Sequence, residues 1–412
     1  MLTANPPPKS ALPPMTSPPS PTTKRVFVVA GELSGDYLGG QLVNALRPLL
    51  SAQQQTLELA GVGGPSLTRA GLTSLFPLQE LAVMGLWEVL PRLYRLRRRL
   101  SQTVQAVMDF QPDLLLTIDS PGFCLRLAKK IRELQPALPI WHYVAPSVWA
   151  WKPERAAAMA PIYNGVLALL PFEPPYFVPT GLPCHFVGHP IVESGADAGD
   201  GIRWRQQQQL SPSTPIICLL AGSRGGEVRR HLRLFQAAVE KLATTIPQLT
   251  TLLIVPDYLQ AEVTKRLANW SQPWVIANNA DKYAAMAASN LGIAASGTVT
   301  LELALARVPT VVAYRVHPLT YRIAKRLIKV PFASLINLLT HGLQPGPAVI
   351  PELIQNDATP QALADALLAL WSNPELAQQQ QAGAQAALGQ LGYHHAPPPS
   401  QQAAALIAGL LA

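Results

Sequence analysis

The sequence predicts an α/β protein of two doubly wound halves, each a parallel sheet with crossover helices, facing one another across a cleft. Three observations carry that prediction. From Lys24 onward, short apolar runs alternate with longer helical stretches, the pattern of strands covered by helices on both faces. The alternation lapses at residues 188–214, a polar, turn-rich stretch, and then begins again. A chain of 412 residues with 49% hydrophobic content is long enough to bury two cores.

Taken in order, residues 1–23 hold eight prolines among Ser, Thr and Ala, a composition that builds no core and reads as a disordered tail. The first half, residues 24–190, carries the strand runs RVFVVA (25–30), LELAGVG (57–63), LLLTID (114–119), IWHYVA (140–145) and GVLALL (165–170). The second, residues 191–360, opens on the connection and then carries IICLLA (216–221), TLLIVP (251–256), WVIA (274–277), LGIAA (291–295) and TVVAY (310–314). Residues 361–412 are rich in Ala and Gln and read as helices able to pack back on the first half.

Composition narrows the function classes. Cys124, Cys184 and Cys218 are odd in number, widely spaced and set in apolar runs, so they read as reduced core thiols rather than a disulfide framework or a zinc site. No apolar run reaches the ~18 residues that cross a bilayer, and no signal core opens the chain, so a cytoplasmic protein is expected. The formal charge of +8 calls for an anionic partner: nucleic acid, a phosphorylated substrate or an anionic membrane. Composition does not choose among these, but no nucleic-acid-binding module is recognisable.

Four stretches carry candidate chemistry. AGELSGDYLGG (Ala30–Gly40) is a glycine turn entering a helix, with Glu32, Ser34, Gly35 and Asp36 either facing a ligand or, for Ser34 and Asp36, capping the helix. IDSPGF (Ile118–Phe123) ends a strand on Asp119, where a carboxylate among apolar neighbours suits a general base acting on a hydroxyl; a helix cap is the alternative. HYVAPSVWAWKPER (His142–Arg155) sets Trp149 and Trp151 beside prolines and cations, for a ligand or for the core. LLAGSRGGEVRRH (Leu219–His231) repeats the strand, turn and helix with Gly222, Ser223 and Arg224, where Arg224 beside free amides suits a diphosphate.

The same architecture recurs at Ser296-Gly297-Thr298, and Glu302 follows one turn along in an otherwise apolar stretch. A carboxylate there needs a partner, and the two hydroxyls of a ribose would supply one. The second half therefore reads as a sugar-nucleotide donor domain. Two basic amphipathic stretches read as membrane-facing or as solvated helix faces: Met84–Leu100, with Met84, Leu86, Trp87, Leu90, Arg92 and Arg95, and His317–Val330, with Arg322, Lys325, Arg326 and Lys329.

These motifs, with VMGLWEVL, LPFEP, FVGHP and VVAYR, occur in an order that closely resembles bacterial lipid-A-disaccharide synthase over about residues 25–355. The resemblance implies an inverting glycosyltransferase of the GT-B type, built of two Rossmann-like domains. It would join UDP-2,3-diacylglucosamine to 2,3-diacylglucosamine 1-phosphate (lipid X) through a β-1,6 bond and release UDP. The implied place is the inner face of the cytoplasmic membrane, with no cofactor and no metal; no D-x-D pair stands out. An oligomer is left open.

Carried over by motif, Asp119 is the base. Arg224, Ser296, Gly297, Thr298 and Glu302 bind UDP, the first glycine loop faces the reacting sugars, and Val83–Leu100 receives acyl chains. Gly122 stands where the family usually has an aspartate, residues after Asn337 lack its usual Arg-Glu pair, and Ala221 replaces a common proline. Two other classes share some of these features. One is another UDP-sugar transferase or epimerase, separated by testing soluble against acylated acceptors; the other is a non-catalytic lipid-binding relative, excluded by UDP release.

Overall fold

The computed structural model describes residues 22–81, 89–328 and 330–412, with backbone alone for residues 89–93, 319, 323 and 324. The first half runs β1 (Thr22–Ala30), α1 (Leu33–Ala52), β2 (Gln55–Val62), α2 (Pro65–Arg69), α3 (Val89–Phe110), β3 (Leu114–Ile118), α4 (Pro121–Leu134), β4 (Ile140–Tyr143), α5 (Glu154–Met159), β5 (Gly165–Ala168), α6 (Pro174–Phe177) and β6 (Cys184–Phe186). A connection holding α7 (Gly201–Gln207) leads to β7 (Ile216–Leu220), α8 (Gly225–Ala243), β8 (Thr250–Ile254), α9 (Asp257–Leu267), β9 (Trp274–Ala277), α10 (Lys282–Ala287), β10 (Leu291–Ala294), α11 (Val299–Leu305), β11 (Thr310–Tyr314), α12 (Pro318–Leu327), α13 (Leu335–His341) and β12 (Glu352–Ile354). Three helices close the chain: α14 (Pro360–Ser372), α15 (Pro374–Gly389) and α16 (Pro399–Leu411).

Every strand pairing is parallel, in the orders β2-β1-β3-β4-β5-β6 and β12-β11-β10-β7-β8-β9. Strands β3, β4, β5, β7 and β8 are buried along their whole length, which is why they read as unbroken apolar runs rather than alternating ones. In each sheet the winding direction reverses once, between β1 and β3 and between β7 and β10. Crevices for ligands open at such reversals, beyond the carboxyl ends of the strands. Those four ends carry the two glycine turns, Asp119 and Ser296-Gly297-Thr298.

The outer strands β6 and β12 are three residues each and were not expected from the sequence. Strand β1 starts at Thr22, so Thr22 and Thr23 belong to the sheet, paired with Gln55 and Thr56, rather than to the tail. The terminal helices do not form a separate layer. Leu363 and Leu367 of α14 join the second core, whereas Ala403, Ala404, Ile407 and Leu411 of α16 enter the first, where α16 lies along α1.

Candidate active site

The end of β3 turns abruptly. Asp119 and Ser120 both take left-handed backbone angles, φ 56° and 45°, each costing about 1–3 kcal/mol in a residue other than glycine. Such strain persists only where the surroundings over-determine it. Here Asp119 N–H bonds Tyr143 O (3.0 Å), and Gly31 N–H bonds Ile118 O (3.2 Å). A Cβ on Gly31 would collide with the Cβ of Ser120, so only glycine lets the first loop close onto the second. The closure brings Ser34 Oγ within 3.0 Å of Asp119 Oδ2, while Oδ1 accepts from Ser120 N–H (2.7 Å). Asp119 is thus half-buried with both oxygens oriented.

Glu32 begins α1 beside it. Burial and then the Asp119 charge push its carboxyl above the usual range, and Arg224 of the second half pulls it back down. A first-half carboxylate that feels both Asp119 and Arg224 means that the two strand-end crevices face each other. Tyr37, one turn along α1, is likewise held up by burial and by Glu193, and lowered by Lys282 of the second half.

On that second side, Gly222 has φ 120° and its position admits no Cβ without pressing on the Glu227 side chain. Arg224 precedes α8, is 57% exposed at its side chain, and lies 3.8 Å from Glu227, which also accepts from Tyr314 Oη (3.2 Å). Ser223 O accepts from Tyr258 Oη (2.6 Å). Ser296 donates to Ala333 O (2.8 Å), and the amides of Ala333 and Ser334 donate in turn to Glu352 (2.7 and 2.8 Å). Gly297, φ 124°, faces open space, and Thr298 is exposed.

Glu302 has the partner its setting demands, and it comes from the protein. Lys282 Nζ lies 2.8 Å and Tyr283 Oη 3.1 Å from Oε1. Burial would release the Lys282 proton, but Glu302 and Tyr283 together outweigh it and hold the ammonium above its usual range. Sequence reasoning missed both partners. Lys282, 20 residues upstream on another helix, carried no motif that could have flagged it.

Two expectations are corrected. Asp36 does not face the sugars: it is 2% exposed, and its carboxylate accepts from the amides of Gly64 (2.7 Å), Ser66 (2.8 Å) and Leu67 (3.0 Å), satisfying the otherwise orphaned start of α2. Trp149 spends its indole N–H on Glu173 (3.2 Å) and its ring on Phe172, a packing role that leaves Trp151, stacked by Arg155 and Lys152, as the surface tryptophan. Gly35 is buried against Ile118 and Asp119.

Of the membrane candidates, Met84, Leu86 and Trp87 lie outside the described residues, and Leu90 and Arg92 are described only as helical backbone. Arg95 is exposed, as are Tyr94, Arg97 and Arg98, whereas Arg99 is held by Glu80 at 2.7 Å and stacks on Phe76. On α12, Arg322, Lys325 and Arg326 are exposed, and Lys329 lies outside the described residues. Among the described residues no helix is long and apolar enough to cross a membrane.

A family model described as lipid-A-disaccharide synthetase matches residues 26–405. Among curated proteins, the lipid-A-disaccharide synthase of Rhodospirillum centenum is 45% identical over 383 residues, 93% of this chain and 94% of that one. The one from Granulibacter bethesdensis is 43% identical over 354 residues, 85% and 87% of the two chains. Among solved structures, a UDP-GlcNAc 2-epimerase from Neisseria meningitidis bound to UDP-GlcNAc superimposes with a TM-score of 0.59 at 11% identity, covering 94% of this chain and 99% of that one. A glycosyltransferase from Rickettsia africae gives 0.55 at 13%, covering 95% and 98%; at these identities the likeness is one of fold.

Proposed function

The chain belongs to the lipid-A-disaccharide synthetase family, and from that membership we propose how its cleft works. The enzyme is a glycosyltransferase that joins UDP-2,3-diacylglucosamine to 2,3-diacylglucosamine 1-phosphate and releases UDP. Asp119 takes the proton from the acceptor 6-hydroxyl, which attacks the donor anomeric carbon from the face opposite UDP and inverts it. Ser34 and the Ser120 amide fix the carboxylate for that transfer. Arg224 and the amides opening α8, a 19-residue helix, meet the charge that develops on the departing diphosphate.

Gly297 and Thr298 leave room for the phosphates, and Glu302 takes the ribose hydroxyls with Lys282 and Tyr283 holding its other edge. The exposed cations of α3 and α12 bring the cleft to an anionic membrane surface, where acylated substrates reside.

One observation supports this reading most: Glu32 of the first half lies within electrostatic reach of both Asp119 and Arg224. UDP release tests it. The purified protein should release UDP with both diacyl substrates present and fail with a de-acylated acceptor. Equal turnover of soluble and acylated acceptors would reassign it to another UDP-sugar transferase, and no release would leave a non-catalytic lipid binder.

A further inference from the structure

The inner face of α8 carries a polar residue that the proposed reaction does not use. His231 is fully buried, in line with Val228, Leu232 and Phe235, where an apolar side chain would be expected. Phe235 stacks on its ring at 5.8 Å and Tyr314 leans against it at 5.1 Å, so packing holds the imidazole in place. Burying such a ring is costly unless both nitrogens find partners. Both do, and both partners are backbone atoms at the carboxyl edge of the second sheet.

Nδ1 lies 2.9 Å from Ala221 O, and Nε2 lies 3.0 Å from Arg315 N. A carbonyl oxygen only accepts and an amide N–H only donates, so Nδ1 carries the hydrogen and Nε2 receives one from Arg315. Burial, the largest influence on the ring, lowers its proton affinity and keeps Nε2 unprotonated. Arg315 O, 3.2 Å from Nε2, takes its hydrogen from Arg230 Nη1, also at 3.2 Å. Ala221 and Arg315 follow directly on the ends of β7 and β11, and β10 runs between those two strands. The ring is therefore a brace across the end of β10.

Ala221 is also the residue from which the Gly222-Ser223-Arg224 turn departs. A second arm reaches the same turn: Tyr314 donates its hydroxyl to Glu227 Oε1 (3.2 Å), and Glu227 lies 3.8 Å from Arg224 and packs against Gly222. The turn is thus gripped at its root by Ala221 and at its tip by Glu227, and the two grips lead back to rings that touch. A long arginine side chain has many rotamers, so the backbone that carries it decides where its guanidinium reaches. We infer that His231 and Tyr314 are positioning residues for the departing diphosphate, bracing this turn so that the Arg224 guanidinium meets it. The inference rests on the diphosphate role proposed for Arg224 and adds what keeps that group aimed. His231 has no exposed surface and acts through Ala221; Tyr314 acts through Glu227.

The test is a double-mutant cycle read by calorimetric titration of the full chain with UDP. Arg224→Ala should weaken UDP binding by about 10–100-fold. His231→Phe keeps a ring between Phe235 and Tyr314 but loses both hydrogen bonds, and should weaken it by about 3–10-fold. The double variant should bind within twofold of Arg224→Ala, because the brace then has no guanidinium to aim. Tyr314→Phe, which removes one hydroxyl, should weaken binding by about 2–5-fold and be silent in the Arg224→Ala background. Val239→Ala, fully buried two turns further along α8, controls for stability: its melting temperature should fall while UDP affinity stays within twofold of wild type. In steady-state UDP release, His231→Phe should raise the donor KM and leave the acceptor KM within twofold. UDP affinity within twofold of wild type in His231→Phe overturns the proposal. So do effects that multiply in the double variant, a Val239→Ala protein that loses UDP as His231→Phe does, or donor and acceptor KM rising together. If His231→Phe does not fold, Tyr314→Phe decides in its place by the same cycle. An Arg224→Ala protein that binds UDP like wild type removes Arg224 from the donor site, a distinct failure that takes the brace's role with it.

Discussion

At Gly31 a single hydrogen atom in place of a side chain holds two loops together. The Ser120 Cβ occupies the space a methyl would need, so Gly31→Ala must push the β1 and β3 ends apart and draw Ser34 away from Asp119. The expected result is a kcat loss of at least 10-fold with donor KM little changed, since misplacement by ~1 Å costs up to ~100-fold; steady-state UDP release checks it. Glu302 makes a second test. If it receives the ribose, Glu302→Gln should weaken donor binding by about 10–100-fold through the loss of a charge-assisted bond, and isothermal titration with UDP reads it directly. A variant that binds UDP like wild type removes Glu302 from the donor site. The sequence made the need for a partner plain, because a carboxylate amid apolar neighbours is costly. It could not reveal Lys282, since residues 20 apart meet only once both helices are packed. Asp36 misled for a related reason: its motif resembles a ligand loop, and the amides of residues 64, 66 and 67 that claim it are some 30 residues away.

Among elements, the central strands were legible because burial on both faces leaves an apolar signature that survives without context. The outer strands β6 and β12 were not, since three residues at a sheet edge carry no period to recognise. Strand ends were overestimated by one or two residues at β3, β4 and β5, where apolar character continues into turns. The left-handed angles of Asp119 and Val144 turn the chain out of β3 and β4 at their last inter-strand hydrogen bonds, before the hydrophobicity ends. The loop after β5 offers a pH test. Glu173 is 3% exposed and accepts from Leu169 N–H, Leu170 N–H and Trp149, and burial pushes it up to about 7. An unfolded glutamate titrates near 4.5, so its protonated form favours the folded state. That contribution is full below about 4.5 and is lost as pH rises through about 7, an effect of roughly 3 kcal/mol. Urea unfolding at pH 5 and pH 8 should show this loss in wild type and a smaller one in Glu173→Gln; an equal loss in both would place the dependence elsewhere.

The whole molecule is one chain that crosses between its halves and returns. Gln380 of α15 exchanges two hydrogen bonds with the Thr310 backbone (2.7 and 3.0 Å), Ser400 gives Glu193 two (2.8 and 2.6 Å), and α16 completes the first core. Two halves of alternating strands and helices were readable from periodicity. The return of α16 onto α1 was readable only as an option, because an Ala-rich helix has no address written in it. Ile407 is fully buried there, so Ile407→Ala should cost about 2–5 kcal/mol in the unfolding of the first half and little in the second. Hydrogen exchange resolved by region separates the two, and equal loosening of both would contradict the assignment of α16 to the first core.

The central claim is that the two crevices act on one reaction, with Asp119 drawing the proton and the second half holding UDP. A rapid-quench single-turnover measurement of disaccharide formation by Asp119→Asn, with saturating diacyl substrates, tests it most directly. The account predicts a chemical step slower by about 10²- to 10⁴-fold with UDP affinity unchanged. A step as fast as wild type would contradict it.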